Sequence, residues 1–557
     1  MVGSSGEATV VGAEMPKQVE GQDSLPPADG GFSMGSALLG TVARRLRPVP
    51  FPEQAAARGL LGRARDAATR PVAALPVDVF RVLGGLLTAV WFAQAFREAP
   101  DFSGPAGLID HALSQQLFPY TRIGLFQPGM PLIAFRVAYA TGVGACLLIA
   151  VGVRPRLMAL VAYLLAVSTY RWNFLVMYVD DEIIHLVLFW LVLLPTGRTL
   201  TLAGWWRGDG LDAWRRSWVP GLVVRCMLAN VALIYIVAGI WKWTSPMWRD
   251  GTALAAALQM PIARAPSLPR PELEPVLALA TWSVLIVEPM LALLIILPTG
   301  HRLKWMLLAA AVGFHIGIMA SLKITYANAA LLAAMVLVFR EELMSAIGGA
   351  ERAPRDRSFR RVGPAGAVGV ATIALLVAAM VGEATVPSWR AAQRLQRTPT
   401  TDGRAGFAHT GHNLFYAPLW VLGLAQSYRL FDWIDDRNWD VHYRVAVTRG
   451  SGDEQADPGE LFPSSVHGVL LQSYLHGITW GRVAADRVGE LRVALAERFA
   501  KRYCRGSPGI DQVTVRAAVR RIRDTVHRSA PWHVLMRFAC AGRQDSRSLQ
   551  LSGSTGQ

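Results

Sequence analysis

The sequence predicts an all-α polytopic membrane bundle of about nine transmembrane helices, followed by a small exported C-terminal α+β domain. Three observations lead to this fold class. Hydrophobic residues make up 52% of the 557 residues and charged residues only 17%, which is little charge for a soluble chain of this size. The apolar residues occur in long uninterrupted blocks, as membrane spans do. The basic residues collect in alternate links between those blocks.

The net charge of +16 raises the question of nucleic-acid binding. Most arginines, however, lie in short links between apolar blocks, where membrane topology explains them better. We therefore expect the lipid bilayer, and no nucleic acid, as a partner.

Residues 1–70 are rich in Gly, Ala, Pro and Arg and show no sustained periodicity. This composition predicts a disordered, basic segment that stays in the cytoplasm. No early apolar core precedes a small-residue cleavage site, so we expect no signal peptide.

Residues 75–383 hold the predicted transmembrane domain. Several of its apolar segments are shorter than the ~20 residues that a straight crossing needs, so these should be tilted, flanked by interfacial residues or next to a polar cavity. The span count around residues 171–195 stays open. The segments are Asp78–Phe96, Ile133–Val153, Leu157–Tyr170, Ile183–Pro195, Gly221–Ile240, Val276–Leu297, Trp305–Leu322, Ile324–Phe339 and Ala365–Val381.

Charge predicts the orientation of these spans in a cell membrane. If the N-terminus is cytoplasmic, every inner link is basic, as the positive-inside rule requires. An odd number of spans then places residues 384–557 outside. The inner links are Arg154–Arg156, Thr196–Trp218, Thr299–Lys304 and Arg340–Arg361.

The exported tail shows patterns of both strand and helix. Asp440–Thr448 and Gln512–Val519 alternate apolar and polar residues, as half-buried strands do. Between them, apolar residues at helical spacing follow Asp486, a residue type that caps helices. These helical positions are Val488, Leu491, Leu495 and Phe499.

Two further features belong to this tail. Its start, Leu419–Trp439, mixes aromatic and acidic residues, which suits the outer membrane interface. Cys504 and Cys540 could form one disulfide if the tail is exported, but their spacing alone does not decide it.

Ionisable residues inside spans cost roughly 2.5–3.5 kcal/mol at the bilayer centre on insertion scales, so each calls for a partner or a role. If the helices that carry them adjoin, they form a polar pocket that opens to the exterior. We take Lys242, Glu288 and His315 as the candidate catalytic residues. The candidate substrate or pocket residues are Tyr178, Asp180, Asp181, His185, Trp248, Asp250 and Tyr326.

Each candidate also has a purely structural interpretation. Lys242 lies between two tryptophans, where a lysine more often anchors a helix end at the membrane surface. Glu288 precedes Pro289 and could lock a kinked helix. His315 could be a neutral core histidine, and Asp180 and Asp181 could belong to a solvated loop.

A metal site is not expected. His409 and His412 have helical metal-ligand spacing, but they lie next to a glycine and no third ligand is in view.

The order of these features resembles the HTTM family, which is related to the vitamin K-dependent gamma-glutamyl carboxylases. The similarity covers roughly Val77 to Arg523, and Leu422–Phe431 resembles the family's step from the last span into an exported domain. The stretches that carry the resemblance are Trp172-Asn173 with Tyr178–Asp181 and the Pro195 end, Tyr235–Lys242 with Trp248–Thr252, Val287–Pro289, and Gly313–His315.

The resemblance implies a chemistry. In the carboxylases, the lysine that Lys242 matches is regarded as the base that deprotonates reduced vitamin K. The oxygenated quinol becomes a strong base, which removes a glutamate γ-proton so that CO2 can add. This chain departs from the family at Phe174–Val176, where the carboxylases have polar residues including a histidine, and its tail lacks a counterpart of their propeptide-binding region.

Two functional hypotheses follow. The first is a carboxylase-like lyase or oxidoreductase that acts on a reduced quinone, or on another peptide or lipid substrate, with Lys242 as base and Glu288 and His315 as positioning or proton-relay groups. The alternative is a non-catalytic membrane factor for the maturation, immunity or assembly of an exported peptide.

Overall fold

The computed structural model describes residues 9–10, 60–265, 268–349, 362–385, 415–424, 439–450, 452, 454–457, 462–477, 485–506, 509–521 and 532–540. Most of these residues are helical. In chain order the helices are α1 Leu60–Thr69, α2 Ala74–Phe102, α3 His111–Leu117, α4 Leu132–Ala150, α5 Pro155–Trp172, α6 Val179–Leu193, α7 Leu202–Trp206, α8 Leu211–Arg215, α9 Leu222–Thr244, α10 Pro246–Arg249, α11 Ala253–Ala257, α12 Glu274–Leu291, α13 Arg302–Ser321, α14 Tyr326–Val338, α15 Arg340–Ala346, α16 Pro364–Thr385, α17 Tyr416–Leu422, α18 Val466–Gly477 and α19 Ala485–Gly506.

Every apolar segment that the sequence identified as a span folds as a helix. Six helical stretches of the described chain are long and apolar enough to cross a membrane. The other three predicted spans correspond to α5, α6 and α14, of which α14 has only 13 residues. The six stretches are Ala74–Phe102, Leu132–Ala150, Leu222–Thr244, Pro271–Ile295, Arg302–Ser321 and Pro364–Gly382.

One end of the bundle is fastened by a buried ion pair between Asp78 and Arg81 on α2, with 3.0 Å between Oδ1 and Nε. The Asp78 carboxylate accepts hydrogen bonds from the backbone of Gly197, Arg198 and Thr199, in the link after α6. The pair thus joins α2, the end of α4 and the link after α6. We call this the Arg81 end. The Arg81 guanidinium donates to the carbonyl oxygens of Ile149, Ala150, Thr199 and Leu200.

The opposite end is fastened by Asp180, at the start of α6. Its carboxylate accepts hydrogen bonds from the backbone N–H groups of Thr325 and Ala327, at 2.8 and 2.7 Å. The start of α6 therefore lies against the start of α14. We call this the Asp181 end, after the neighbouring residue. Successive long helices of the bundle run alternately between the two ends.

The outward sides of α12 and α13 are apolar. Val276 is 61% exposed, Leu279 66% and Met306 68%. Such a large apolar surface is unusual on a soluble protein and is typical of helices that contact lipid. By contrast, most residues of α6 are buried against other parts of the protein, so little of this short helix is left to contact lipid.

The C-terminal residues form an antiparallel five-stranded sheet in the order β1-β7-β6-β4-β5, packed against α18 and α19. The two predicted strands are confirmed. The predicted helix also exists and begins at Ala485, so Asp486, the expected cap, lies in its first turn. The strands are β1 Thr9–Val10, β2 Val72–Ala73, β3 Trp218–Val219, β4 Trp439–Thr448, β5 Gln455–Asp457, β6 Gln512–Arg521 and β7 His533–Ala539; β2 and β3 pair separately at the Arg81 end.

The expectation that residues 1–70 lack structure is wrong for α1 and for the short strand β1. Thr9 and Val10 pair with Arg537 and Met536 of β7. This pairing is at odds with the predicted placement of the N-terminus and the tail on opposite sides of a membrane.

A disulfide joins Cys504 on α19 to Cys540 after β7, with 5.4 Å between their Cα atoms. The pairing that the sequence left open is therefore formed. The sheet domain docks at the Asp181 end, where Arg502 contacts Asp101 at 2.9 Å. His409, His412 and most of the predicted interfacial segment 419–439 lie outside the described residues.

Candidate functional site

Lys242 is buried near the end of α9, with only 3% of its surface exposed. Its amine lies 2.7 Å from a carboxylate oxygen of Glu288 on α12, which is 4% exposed. The Trp248 ring lies against the same amine, with 5.3 Å between Nζ and the ring centroid. The interpretation of Lys242 as a surface anchor is therefore wrong, because an anchoring amine reaches water or headgroups. The Glu288 carboxylate therefore has a charged partner in this amine.

A close approach of α9 to α12 brings the two charges together. A Cβ built on Gly239 would lie 3.0 Å from Cδ of Pro289, so only a glycine allows this spacing without a shift. Next to it, the Trp243 indole donates a hydrogen bond to the Leu285 carbonyl at 3.0 Å. The chain after α9 folds back along α12, where the backbone N–H of Leu254 donates to Thr281.

His315 on α13 lies in a second buried group. Its Nε2 is 2.7 Å from the Tyr235 hydroxyl and its Nδ1 is 2.8 Å from the side-chain oxygen Oδ1 of Asn328. The Asn328 amide nitrogen donates to the Ile324 carbonyl, so Nδ1 of the histidine carries a hydrogen and Nε2 of the neutral ring accepts one from Tyr235. Tyr235 lies two turns before Lys242 and thus on the same face of α9. The structure places His315 against that face through Tyr235.

Asp180 and Asp181 are fully buried at the Asp181 end, so the solvated-loop interpretation is wrong for both. Asp180 also accepts a hydrogen bond from the Tyr178 hydroxyl at 2.7 Å. Asp181 accepts one from the Trp91 indole at 2.7 Å and one from the Tyr178 backbone at 2.8 Å, which closes a capping box on α6. These bonds give Tyr178, Asp180 and Asp181 roles in starting helices.

The remaining predicted pocket residues lie apart from one another. His185 is buried, with Nδ1 3.2 Å from the Gly423 carbonyl oxygen after α17. The Tyr326 hydroxyl donates to Gln94 at 2.6 Å. Asp250 is exposed, so it lies outside the buried group around Lys242. It follows Arg249 as the residue that ends α10.

A third buried group was not found from the sequence. His467 of α18 lies between two carboxylates of the bundle, with Nδ1 2.5 Å from Glu98 and Nε2 3.3 Å from Asp181. Burial alone would lower the pKa of His467, but the two carboxylates outweigh burial and raise the pKa to about 10. The imidazolium thus ties the C-terminal domain to the Asp181 end. His467 and Glu98 are 369 residues apart, and no local pattern marks their contact.

The chain matches no protein-family model, no curated protein and no solved structure.

Proposed function

We propose that this chain is a multipass membrane protein, similar to the vitamin K-dependent gamma-carboxylases, that acts on a reduced quinone or another lipid-soluble substrate at Lys242. In this proposal an exported peptide is the water-borne partner. The observation that supports it is the burial of the Lys242 amine against Glu288 and Trp248. A surface lysine would have no access to a lipid-soluble substrate that is kept from water, whereas this amine already lies in an apolar setting.

The side chains around the amine are of the kinds that recognise a planar, hydroxyl-bearing ring. Trp248 is aromatic, the amine lies over its ring, and the Tyr235 hydroxyl lies further along the same face of α9. When bound, a reduced quinone would supply the reducing equivalents and, after reaction with oxygen, a strong base.

Lys242 needs one proton transfer before it can act as a base. In the proposed mechanism the resting pair is an ammonium beside a carboxylate, with 2.7 Å between Nζ and Oε2. Transfer of one proton from Nζ to Oε2 of Glu288 leaves a neutral amine and a neutral carboxylic acid, which suits an apolar setting. The free amine then accepts the proton of a substrate hydroxyl. Tyr235 and His315 act as positioning groups at this face.

The proposal includes nine membrane crossings with the Asp181 end outside. Basic residues flank the helices at the Arg81 end, for example Arg198 and Arg340, as expected of a cytoplasmic face. The disulfide lies in the domain docked at the other end, and disulfides persist in oxidising compartments. The short helices α6 and α14 are largely buried by protein, which makes short crossings tolerable.

The test uses purified full-length protein in lipid vesicles with reduced vitamin K and an exported glutamate-containing peptide, following oxygen uptake and CO2 fixation. We expect Lys242→Ala to abolish turnover. Because this change also leaves the Glu288 charge buried without its partner, the double variant Lys242→Met with Glu288→Leu is tested beside it, and it should be inactive while it still inserts and keeps its helical circular dichroism. Lys323→Ala, at the half-buried lysine before α14, is the matched control and should keep turnover. Full turnover by Lys242→Ala would reject the proposal.

A second candidate function is a non-catalytic factor for the maturation, immunity or assembly of an exported peptide. The docked C-terminal domain favours it, since Glu98 and Asp181 of the bundle are engaged by His467 of that domain. Under this hypothesis, deletion of residues 384–557 abolishes peptide maturation in cells, whereas Lys242→Ala leaves it intact. The reverse result supports the enzyme.

A further inference from the structure

A small cavity lies between α2, the turn after α5 and α18 of the C-terminal domain. Its wall includes the Glu98 carboxylate, the Ser103 side chain, the Asn173 side chain and the His467 ring. The site is thus formed by both parts of the chain, because His467 supplies the wall that the bundle lacks.

One polar atom in this wall is left over. Asn173 is 4% exposed, and its side-chain nitrogen donates to the Ser103 hydroxyl at 2.9 Å. Its side-chain oxygen Oδ1 is buried and has no hydrogen-bond partner among the described residues. A buried acceptor without a donor costs free energy, so an occupant of the cavity that donates a hydrogen bond or carries positive charge would stabilise this oxygen.

The charges around the cavity point to a cation. Glu98 and Asp181 carry two negative charges, and His467 between them carries one positive charge. Among these three groups one negative charge is unbalanced, and it lies in a buried place, where it is costly. An occupant with a single positive charge would balance it and would also satisfy the Asn173 oxygen.

We propose that this cavity is a binding site for one small monovalent cation of the sodium type, held by the Glu98 carboxylate, the Asn173 carbonyl oxygen and the Ser103 hydroxyl. Oxygen donors of this kind suit hard cations. Calcium fits less well, because it takes six to eight oxygen ligands and usually several carboxylates. Each Glu98 oxygen accepts one hydrogen bond, from Gln94 or from His467, and keeps a second lone pair for the ion.

This site does not depend on the proposed activity, but it links the ion to the docking of the C-terminal domain. A bound cation stabilises the arrangement in which Glu98 meets His467. Loss of the ion leaves the extra negative charge beside the docking contact, so sodium should strengthen the attachment of the domain.

The test is binding of radioactive sodium to the full-length protein in lipid nanodiscs, at constant ionic strength set with an organic cation. We expect saturable binding of one ion per chain, together with a sodium-dependent rise in Tm. Asn173→Leu removes a ligand and should raise the half-saturating concentration roughly tenfold or more. Ser114→Ala also removes a buried hydroxyl without a partner, but away from the cavity, and should bind as the wild type does.

Three results would overturn the proposal. Wild-type protein that shows no saturable sodium binding would mean that the cavity holds only water. Asn173→Leu that folds and binds as the wild type does would exclude this cavity as the site. Saturable binding of calcium without any binding of sodium would show that the site takes a different cation from the one proposed. If Asn173→Leu does not fold, Glu98→Gln tests the same ligand set through its charge.

Discussion

Gly239 on α9 faces the ring of Pro289 on α12, and this contact sets how far apart Lys242 and Glu288 lie. An added Cβ at residue 239 would come within 3.0 Å of Pro289 Cδ. Lys242 follows Gly239 by about one turn, and Glu288 precedes Pro289 directly. The spacing of the two helices and the 2.7 Å ion pair are therefore parts of one arrangement.

Gly239→Ala should destabilise the protein by about 1–3 kcal/mol, because the proline ring cannot yield without a helix shift. The matched control is Gly313→Ala on α13, where an added Cβ meets nothing within 4 Å. That change should be neutral or stabilising by up to about 1 kcal/mol through helix propensity. Thermal unfolding in detergent measures both. Equal Tm values for the two variants would contradict the close contact.

Lys242→Met alone should destabilise the fold by about 3–5 kcal/mol, because Glu288 would keep a buried charge without a partner. The double variant Lys242→Met with Glu288→Leu removes both charges and should recover most of that loss. Thermal unfolding gives the stability, and quinol-dependent oxygen uptake gives the activity. A stable but inactive double variant supports catalysis by the pair. A single variant as stable as the wild type would show that the charges are not buried together.

Docking of the C-terminal domain should weaken as the pH rises above neutrality. The folded-state pKa of His467 is about 10 and lies above its unfolded value of 6.5, so this stabilisation is complete below pH 6.5 and is lost as the pH rises through 10. Hydrogen exchange of α18 between pH 7 and pH 10, corrected for intrinsic rates, measures the change. His467→Gln should remove the dependence, and His533→Gln, at an exposed position, should keep it. A flat profile in the wild type would contradict the ion pairs.

The helices were predictable from the sequence because each is encoded by its own apolar block. The approach of Lys242 to Glu288 can only be assumed from the sequence, because a glycine at residue 239 permits a close approach of two helices but does not by itself predict one. The capping box of Tyr178 and Asp181 has a local signal, an acidic residue three positions into a helix. As buried ionisable residues in the sequence, they predict a pocket instead. Glu98 and His467 have no such signal, because only the tertiary fold brings them together.

The disulfide predicts the labelling of the four cysteines. Cys146 and Cys226 are free and Cys504 is joined to Cys540, so denatured protein should take two maleimide adducts before reduction and four after it. Serine at both positions 504 and 540 should destabilise the sheet domain by about 2–4 kcal/mol. Four adducts without reduction, in protein isolated from cells under alkylating conditions, would contradict an oxidising location.

Fusions to alkaline phosphatase test the orientation. A fusion after residue 349, at the Arg81 end, should be inactive, and a fusion after residue 424, at the Asp181 end, should be active, because the enzyme needs export. In this arrangement Thr9 is cytoplasmic, so a single cysteine there should not react with membrane-impermeant reagents. Labelling from outside would support the pairing of β1 with β7 and would reject the cytoplasmic N-terminus. Activity at both fusion points would reject the nine-span arrangement.

The contacts that α17 and the turn after it make with the bundle determine which sequence changes this region tolerates. Arg171 donates to the carbonyl oxygens of Trp420 and Val421, and Tyr163 donates to that of Leu422. His185 lies against the Gly423 carbonyl oxygen. Because the bundle contacts main-chain oxygens here, these contacts depend on the course of the backbone and not on the side chains that the residues carry. Inserting or deleting one residue at this turn should therefore do more harm than most single replacements.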